Sequence, residues 1–108
     1  MTLPLATPIA TYFKISNGAQ FAHVKDCFAP KAIVADENHT HTGHSAIEAW
    51  LRNARERYAY TSVPLRVVED GGITTVTAMV SGDFPGSPLE LTYSFRHDGK
   101  RISALEIA

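Results

Sequence analysis

Asp36 and Glu37 are adjacent carboxylates at the end of the apolar, β-branched run Ala32-Ile33-Val34-Ala35. A strand there would carry an acid to the edge of a core. Taking a carboxylate out of water raises its pKa, because burial penalises the charged form. Neighbouring strand residues point to opposite faces, so one of the two turns inward. Val34 with Asp36 and Ala35 with Glu37 are too alike in hydropathy to say which. For either acid, a solvated strand end or a turn cap is the alternative.

His39, His41 and His44 are spaced two and three apart in a polar stretch, close enough to share a zinc ion. The same spacing among threonines beside a glycine is what an exposed loop looks like. With no cysteine or firmly placed acid to complete four ligands, neither a metal nor another cofactor is expected. His23 and His97 read as surface residues of a helix and a strand end. Trp50, Tyr58, Phe84 and Tyr93 are candidates to stack on an aromatic ligand, with plain core as the alternative. Cys27 has no second cysteine to pair with and sits in an apolar helical pattern, where it reads as a small buried hydrophobe. No glycine-rich phosphate loop, Gly-x-Ser-x-Gly elbow or His-Glu-x-x-His motif occurs, so nucleotide hydrolysis and serine-hydrolase chemistry have no support.

The elements that must position these residues follow from periodicity. Thr7-Pro8 predicts a capped helix start, and Ile9, Tyr12, Phe13 and Ser16 share the inward face up to Asn17-Gly18, which ends the helix. A second short helix over 19–28 turns Phe21, Val24 and Phe28 inward, and Pro30 stops it. A strand over 31–37 precedes a polar, irregular reversal at 38–43. Ser45 and Glu48 form a capping box for a third helix reaching Arg57, with Ile47, Trp50, Leu51, Ala54 and Tyr58 as its apolar stripe. Arg52, Arg55, Glu56 and Arg57 mostly face water, and Glu48 and Arg52 pair four residues apart.

Beyond Tyr60 the period changes to two, predicting strands over 61–69, 73–84, 88–97 and 101–107. The turns Asp70-Gly71-Gly72, Pro85-Gly86-Ser87-Pro88 and Asp98-Gly99-Lys100 join them into antiparallel neighbours. Leu89, Leu91, Tyr93 and Phe95 share one side of their strand, too apolar to be wet, and are assigned to an apolar pocket between helices and sheet. Neither side of the 73–84 strand is strongly charged, and a sheet with two apolar faces suggests a homodimer. The expected fold is α+β: three N-terminal helices packed on a curved antiparallel sheet.

A chain of 108 residues fits one domain spanning 1–108. Its 44% hydrophobic and 19% charged residues, without a run of like charge, exclude a disordered tail. The formal net charge of −1 and scattered lysines and arginines leave nothing to neutralise a phosphate backbone, so no nucleic-acid partner is expected. The apolar runs are too short to span a membrane, and the first residues lack the pattern of a signal peptide, so the expected location is cytoplasmic with no membrane partner.

The run of helix 1 ending in Asn17-Gly18, then Phe28-Ala29-Pro30-Lys31-Ala32-Ile33-Val34-Ala35-Asp36, then Gly43-His44-Ser45-Ala46-Ile47-Glu48-Ala49-Trp50, resembles the SnoaL-like group of the nuclear transport factor 2-like superfamily. The likeness extends from Pro8 to Ile107. It implies a cone-shaped α+β barrel closing over a pocket, commonly in a dimer. The fold hosts isomerases, polyketide cyclases, dehydratases, epoxide hydrolases and binding domains, so fold alone does not choose an activity. Compared with ketosteroid isomerase in that superfamily, Asp36 falls where the general base stands and Tyr12 where the oxyanion-donating tyrosine stands. The third position, a protonated aspartate in that enzyme, corresponds to Tyr93, or to Thr92 if the alignment slips by one. No Asp-Arg-Asp set of the epoxide-hydrolase kind is evident.

Two readings follow. In one, the domain binds a small hydrophobic molecule without converting it, in a pocket lined by Phe28, Trp50, Tyr58, Phe84, Leu91 and Phe95. In the other, it is an enzyme of ketosteroid isomerase or polyketide cyclase type, moving a proton α to a carbonyl with Asp36 as base and Tyr12 and Tyr93 as oxyanion donors.

Overall fold

The computed structural model describes residues 4–18 and 21–108. Helix α1 spans Thr7–Ser16, and a 3-10 turn at Phe21–His23 runs into the short helix α2, Val24–Cys27. Strands β1 (Phe28–Asp36) and β2 (His39–Thr42) form a hairpin, followed by helix α3 (His44–Arg57). Strands β3 (Tyr60–Asp70), β4 (Ile73–Gly82), β5 (Leu89–His97) and β6 (Ile102–Ile107) complete the chain. The α+β class holds, with helices on one face of a six-stranded sheet ordered β2-β1-β6-β5-β4-β3. Four neighbouring pairs are antiparallel and β1 runs parallel to β6, so the sheet is mixed; with β2 and β3 as its edges, it does not close into a barrel. Register shifts between Pro64 and Arg66 in β3 and between Arg96 and His97 in β5 are irregularities of the kind that bend a sheet around its contents.

The core forms where the inward faces meet. Ile9, Tyr12, Phe13 and Ser16 of α1 are all buried, as their spacing predicts. Phe28, Phe95, Ile102, Leu105, Ile47 and Leu51 close around them. Each apolar side chain of that size stabilises the fold by roughly 1.5–3 kcal/mol when taken fully out of water. On β4, Thr74, Val76, Ala78 and Val80 are buried while Thr75, Thr77 and Met79 are not, which assigns the inner face. The Asn17 side chain also meets the Ser62 main chain: its Nδ2 donates to the Ser62 carbonyl at 2.9 Å and its Oδ1 accepts from the Ser62 N–H at 2.7 Å. That pair ties the end of α1 to β3.

Several helix and strand boundaries differ from expectation. Thr7 is the first helical residue and not its cap; Ala6 takes the cap position without a side-chain bond. Gly18 ends the helix at φ 105°, its N–H bonded to the Ile15 carbonyl at 3.1 Å. The expected second helix begins at Ala19 and Gln20, which lie outside the described residues. Its end is earlier than expected, because Phe28 opens β1. Pro30 therefore sits inside a strand, but in the stretch where β1 has no β2 partner and its register with β6 shifts, so its missing N–H costs no ladder bond. The capping box does not form: Gly43 is the cap at φ 86°, Ser45 lies within α3, and Glu48 bonds Arg52 at 3.0 Å. The polar stretch after Asn38 is an edge strand, since Glu37 and Asn38 at φ 51° and 64° make a tight two-residue reversal that lays His39–Thr42 beside Ile33–Asp36.

Candidate functional site

Alternation along β1 decides which acid faces in. Ala32 and Val34 are buried on the inner face, Ile33 is exposed on the outer one, and Asp36 continues the inner parity. Its carboxylate borders a cavity of about 590 Å³ between α1, α3 and the concave side of β3–β6. Glu37, in the turn, is exposed and touches only the rim. Burial raises the Asp36 pKa above the ordinary carboxylate value, an effect opposed by the Trp50 indole, which donates to Oδ2 at 3.2 Å.

Tyr12 and Tyr93 reach the same cavity from α1 and β5, their ring centroids 6.1 Å apart. Both phenols are buried, and desolvation pushes the Tyr12 pKa well above its ordinary value and that of Tyr93 up to about 12. They are therefore neutral donors at any physiological pH. Trp50, Leu91, Tyr58 and Phe84 also line the cavity, the last two packed edge to face at 6.0 Å. Phe28 and Phe95 do not: both are fully buried against the Tyr12 ring, beneath the cavity wall, so their assignment to the lining is corrected to core. Their strand positions put them on the inner face but deeper, where α1 covers the sheet.

Other wall residues escaped the sequence reading. Tyr60 and Ser62 face the cavity from the start of β3, and the Tyr60 hydroxyl lies 3.2 Å from Ser16 Oγ. The available signal was the serine on the inward stripe of α1, which a purely apolar face would not carry. Arg55 was expected to face water; instead its guanidinium donates to the main-chain carbonyls of Ser16 and, at 2.7 Å, of Tyr60. The cavity is thus largely apolar along β4, β5 and α3, with the phenols of Tyr12, Tyr58, Tyr60 and Tyr93, the hydroxyls of Ser16 and Ser62 and the carboxylates of Asp36 and Glu37 among its polar groups. Among the described residues bordering it there is no lysine, arginine or histidine.

The three loop histidines go to different places. His39 is exposed, His41 stacks on Trp50 with centroids 5.7 Å apart, and His44 Nε2 lies 2.7 Å from the Phe28 carbonyl oxygen. Among the described residues no group of three or more His, Cys, Asp or Glu side chains converges as a metal site. No helix there is long and apolar enough to cross a membrane.

No curated protein matches the sequence. Among solved structures, a candidate polyketide cyclase from Sinorhizobium meliloti is similar, with 40% identity over 96% of this chain and 95% of that one and a TM-score of 0.89. A protein of ketosteroid isomerase-like fold from Catenulispora acidiphila, in complex with trimethylamine, superposes at a TM-score of 0.83 with 18% identity, covering 99% of this chain and 86% of the other. A candidate isomerase of the SnoaL-like family from Agrobacterium tumefaciens gives 0.78 at 18% identity, over 94% and 92%. These last two likenesses show the shared fold. The profile of the SnoaL-like domain matches residues 9–105, and the chain belongs to that family.

Proposed function

We propose that the cavity binds a small, largely apolar carbonyl compound and that Asp36 moves a proton at the carbon beside the carbonyl. The observation that carries this reading is a carboxylate on the wall of an apolar cavity, its pKa raised by burial, with neutral phenols on the facing elements. The carboxylate would take the α-proton, and the electron pair left behind would develop on the carbonyl oxygen, where Tyr12 or Tyr93 donates a hydrogen bond. Returning the proton to a different carbon completes an isomerisation. If the enolate carbon instead attacks a second carbonyl of the same molecule, a ring closes and the proton ends on the new alkoxide. The similarity to a candidate polyketide cyclase supports the second outcome. A volume of about 590 Å³ is within the usual range for small-molecule sites.

By the resemblance, Tyr93, or Thr92 if the alignment slips by one, falls where ketosteroid isomerase has a protonated acid, and a phenol of pKa about 12 such as that of Tyr93 is a weaker donor to a developing enolate. That observation favours a domain that holds its ligand without converting it. Deuterium exchange into a panel of cyclic and aromatic ketones in heavy water separates the two readings. Exchange that falls by about 10²–10⁴-fold in Asp36→Asn, with the fold intact by circular dichroism, supports the base. No exchange from any ketone supports binding alone, to be followed by mass spectrometry of co-purified molecules.

The outer face of the sheet leaves Val63, Leu65 and Val68 of β3 exposed, with half-buried Met79 beside Val63. These residues support a homodimer through this face. Sedimentation at micromolar concentration that finds monomer alone removes the homodimer.

A further inference from the structure

Trp50, the one tryptophan of the chain, joins the candidate base to the edge strand. Its indole N–H donates to Asp36 Oδ2 at 3.2 Å, and the His41 ring lies over it with 26° between the ring planes. Across the hairpin Asp36 pairs with His39 and Val34 with His41, so Asp36 and His41 share the face that carries Val34 into the core. The indole is itself anchored, because Leu51 and Ile47, one residue after it and one turn before it on α3, are buried.

We propose that Trp50 is the positioning residue for Asp36 and that His41, by stacking on the indole, holds Trp50 in place. The inference rests on Asp36 being the base of the proposed function. An aspartate at a strand end has two free torsions, and a base displaced by about 1 Å loses up to roughly a hundredfold in rate. One N–H fixed on Oδ2 removes that freedom. An indole nitrogen donates and cannot accept, so it holds the carboxylate without competing for the proton that the ligand must give up. A hydrogen bond to the charged form also opposes desolvation, which keeps the acid ionisable inside an apolar wall. His41 serves as an aromatic plate here, a different use from the metal ligand that its spacing first suggests.

A sole tryptophan gives one indole N–H signal, so the test needs no assignment strategy. In the wild-type protein the indole proton and nitrogen shifts are followed with pH beside a carbon-detected titration of the Asp36 carboxyl. The two curves are expected to share a midpoint, and the indole response at that pH is expected to vanish in Asp36→Asn. Glu37, His41 and the cross-strand partner His39 are the other groups near Asp36 that can titrate in this range, the Tyr12 and Tyr93 phenols staying neutral, so the response must survive in Glu37→Gln, in His39→Gln and in His41→Phe, which keeps a stacked ring. In Trp50→Phe the Asp36 midpoint moves upward, the acidic limb of the exchange profile follows it, and kcat falls about ten- to a hundredfold with KM changed less.

An indole signal that ignores Asp36, or a midpoint unmoved in Trp50→Phe, overturns the proposal. Should Trp50→Phe fail to fold, the comparison of wild type with Asp36→Asn decides. Shared titration without exchange from any ketone would leave the positioning intact and sink the proton-transfer reading. Exchange with a silent indole would do the reverse.

Discussion

The guanidinium carbon of Arg55 lies 4.1 Å from the centre of the Tyr60 ring, while its N–H groups reach the carbonyls of Tyr60 and of Ser16 at the end of α1. One side chain therefore joins α3, α1 and β3 directly behind the phenol that meets Ser16. The cation also faces the negative end of the α1 dipole.

Arg55→Met keeps the stem and removes both hydrogen bonds, leaving two carbonyls without their charged donor. The expected cost is about 2–3 kcal/mol. Thermal unfolding followed by circular dichroism should show a fall on the order of 10 °C. A melting temperature equal to wild type would mean that water replaces the arginine without loss.

The raised pKa of Asp36 has a defined consequence for stability. The folded protein holds that proton more tightly than the unfolded chain, so the carboxylate costs nothing below the unfolded value of about 3.9. The cost grows as pH rises through the window between that value and the raised folded one, and is complete above it. Asp36→Asn is thus expected to raise the melting temperature at pH 7 and to leave it nearly unchanged at pH 3. An equal difference at both pH values would contradict a desolvated carboxylate.

Gly82, opposite Tyr60 in the β3–β4 pair, has no room for a methyl group: a Cβ there would stand 2.1 Å from the Ala59 carbonyl oxygen and 2.7 Å from Tyr60 Cα. Both are backbone atoms, which cannot swing aside. Gly82→Ala should destabilise by about 3 kcal/mol and displace Tyr60 from the cavity wall. Urea titration would read this as a lower midpoint with an unchanged slope.

Cys27 donates its thiol to the Pro8 carbonyl at 3.1 Å, and burial pushes its pKa up to about 12. The thiolate is the reactive species, so at pH 8 the native protein should be labelled by a thiol reagent at least about a hundredfold more slowly than the chain in urea. Fast labelling of the native protein would mean that the seam between α1 and α2 opens.

The order of elements, the inward faces of α1 and α3 and the three antiparallel hairpin connections after Tyr60 were legible because each depends on local patterning: period 3.6, period 2 and turn chemistry. Tyr12 and Asp36 could also be singled out, through resemblance. The edge strand His39–Thr42 was not legible, since its side chains are polar and its strand geometry comes from the Glu37-Asn38 turn that aligns it with β1. Nor was the inward turn of Arg55, whose partners are main-chain carbonyls that leave no trace in residue type.

By itself, the sequence determined the class of fold, and its resemblance pointed to Tyr12 and Asp36 as the residues on which a proton-transfer chemistry would rest. Tertiary structure alone decided that Asp36 and not Glu37 faces the cavity, that Phe28 and Phe95 are core beneath it, and that Trp50 and His41 stack beside the carboxylate. Periodicity says which residues share a face of one element. It does not say how deep that face lies or which other face meets it, and those are set by the parallel pairing of β1 with β6 and by the angle at which α1 and α3 cross the sheet.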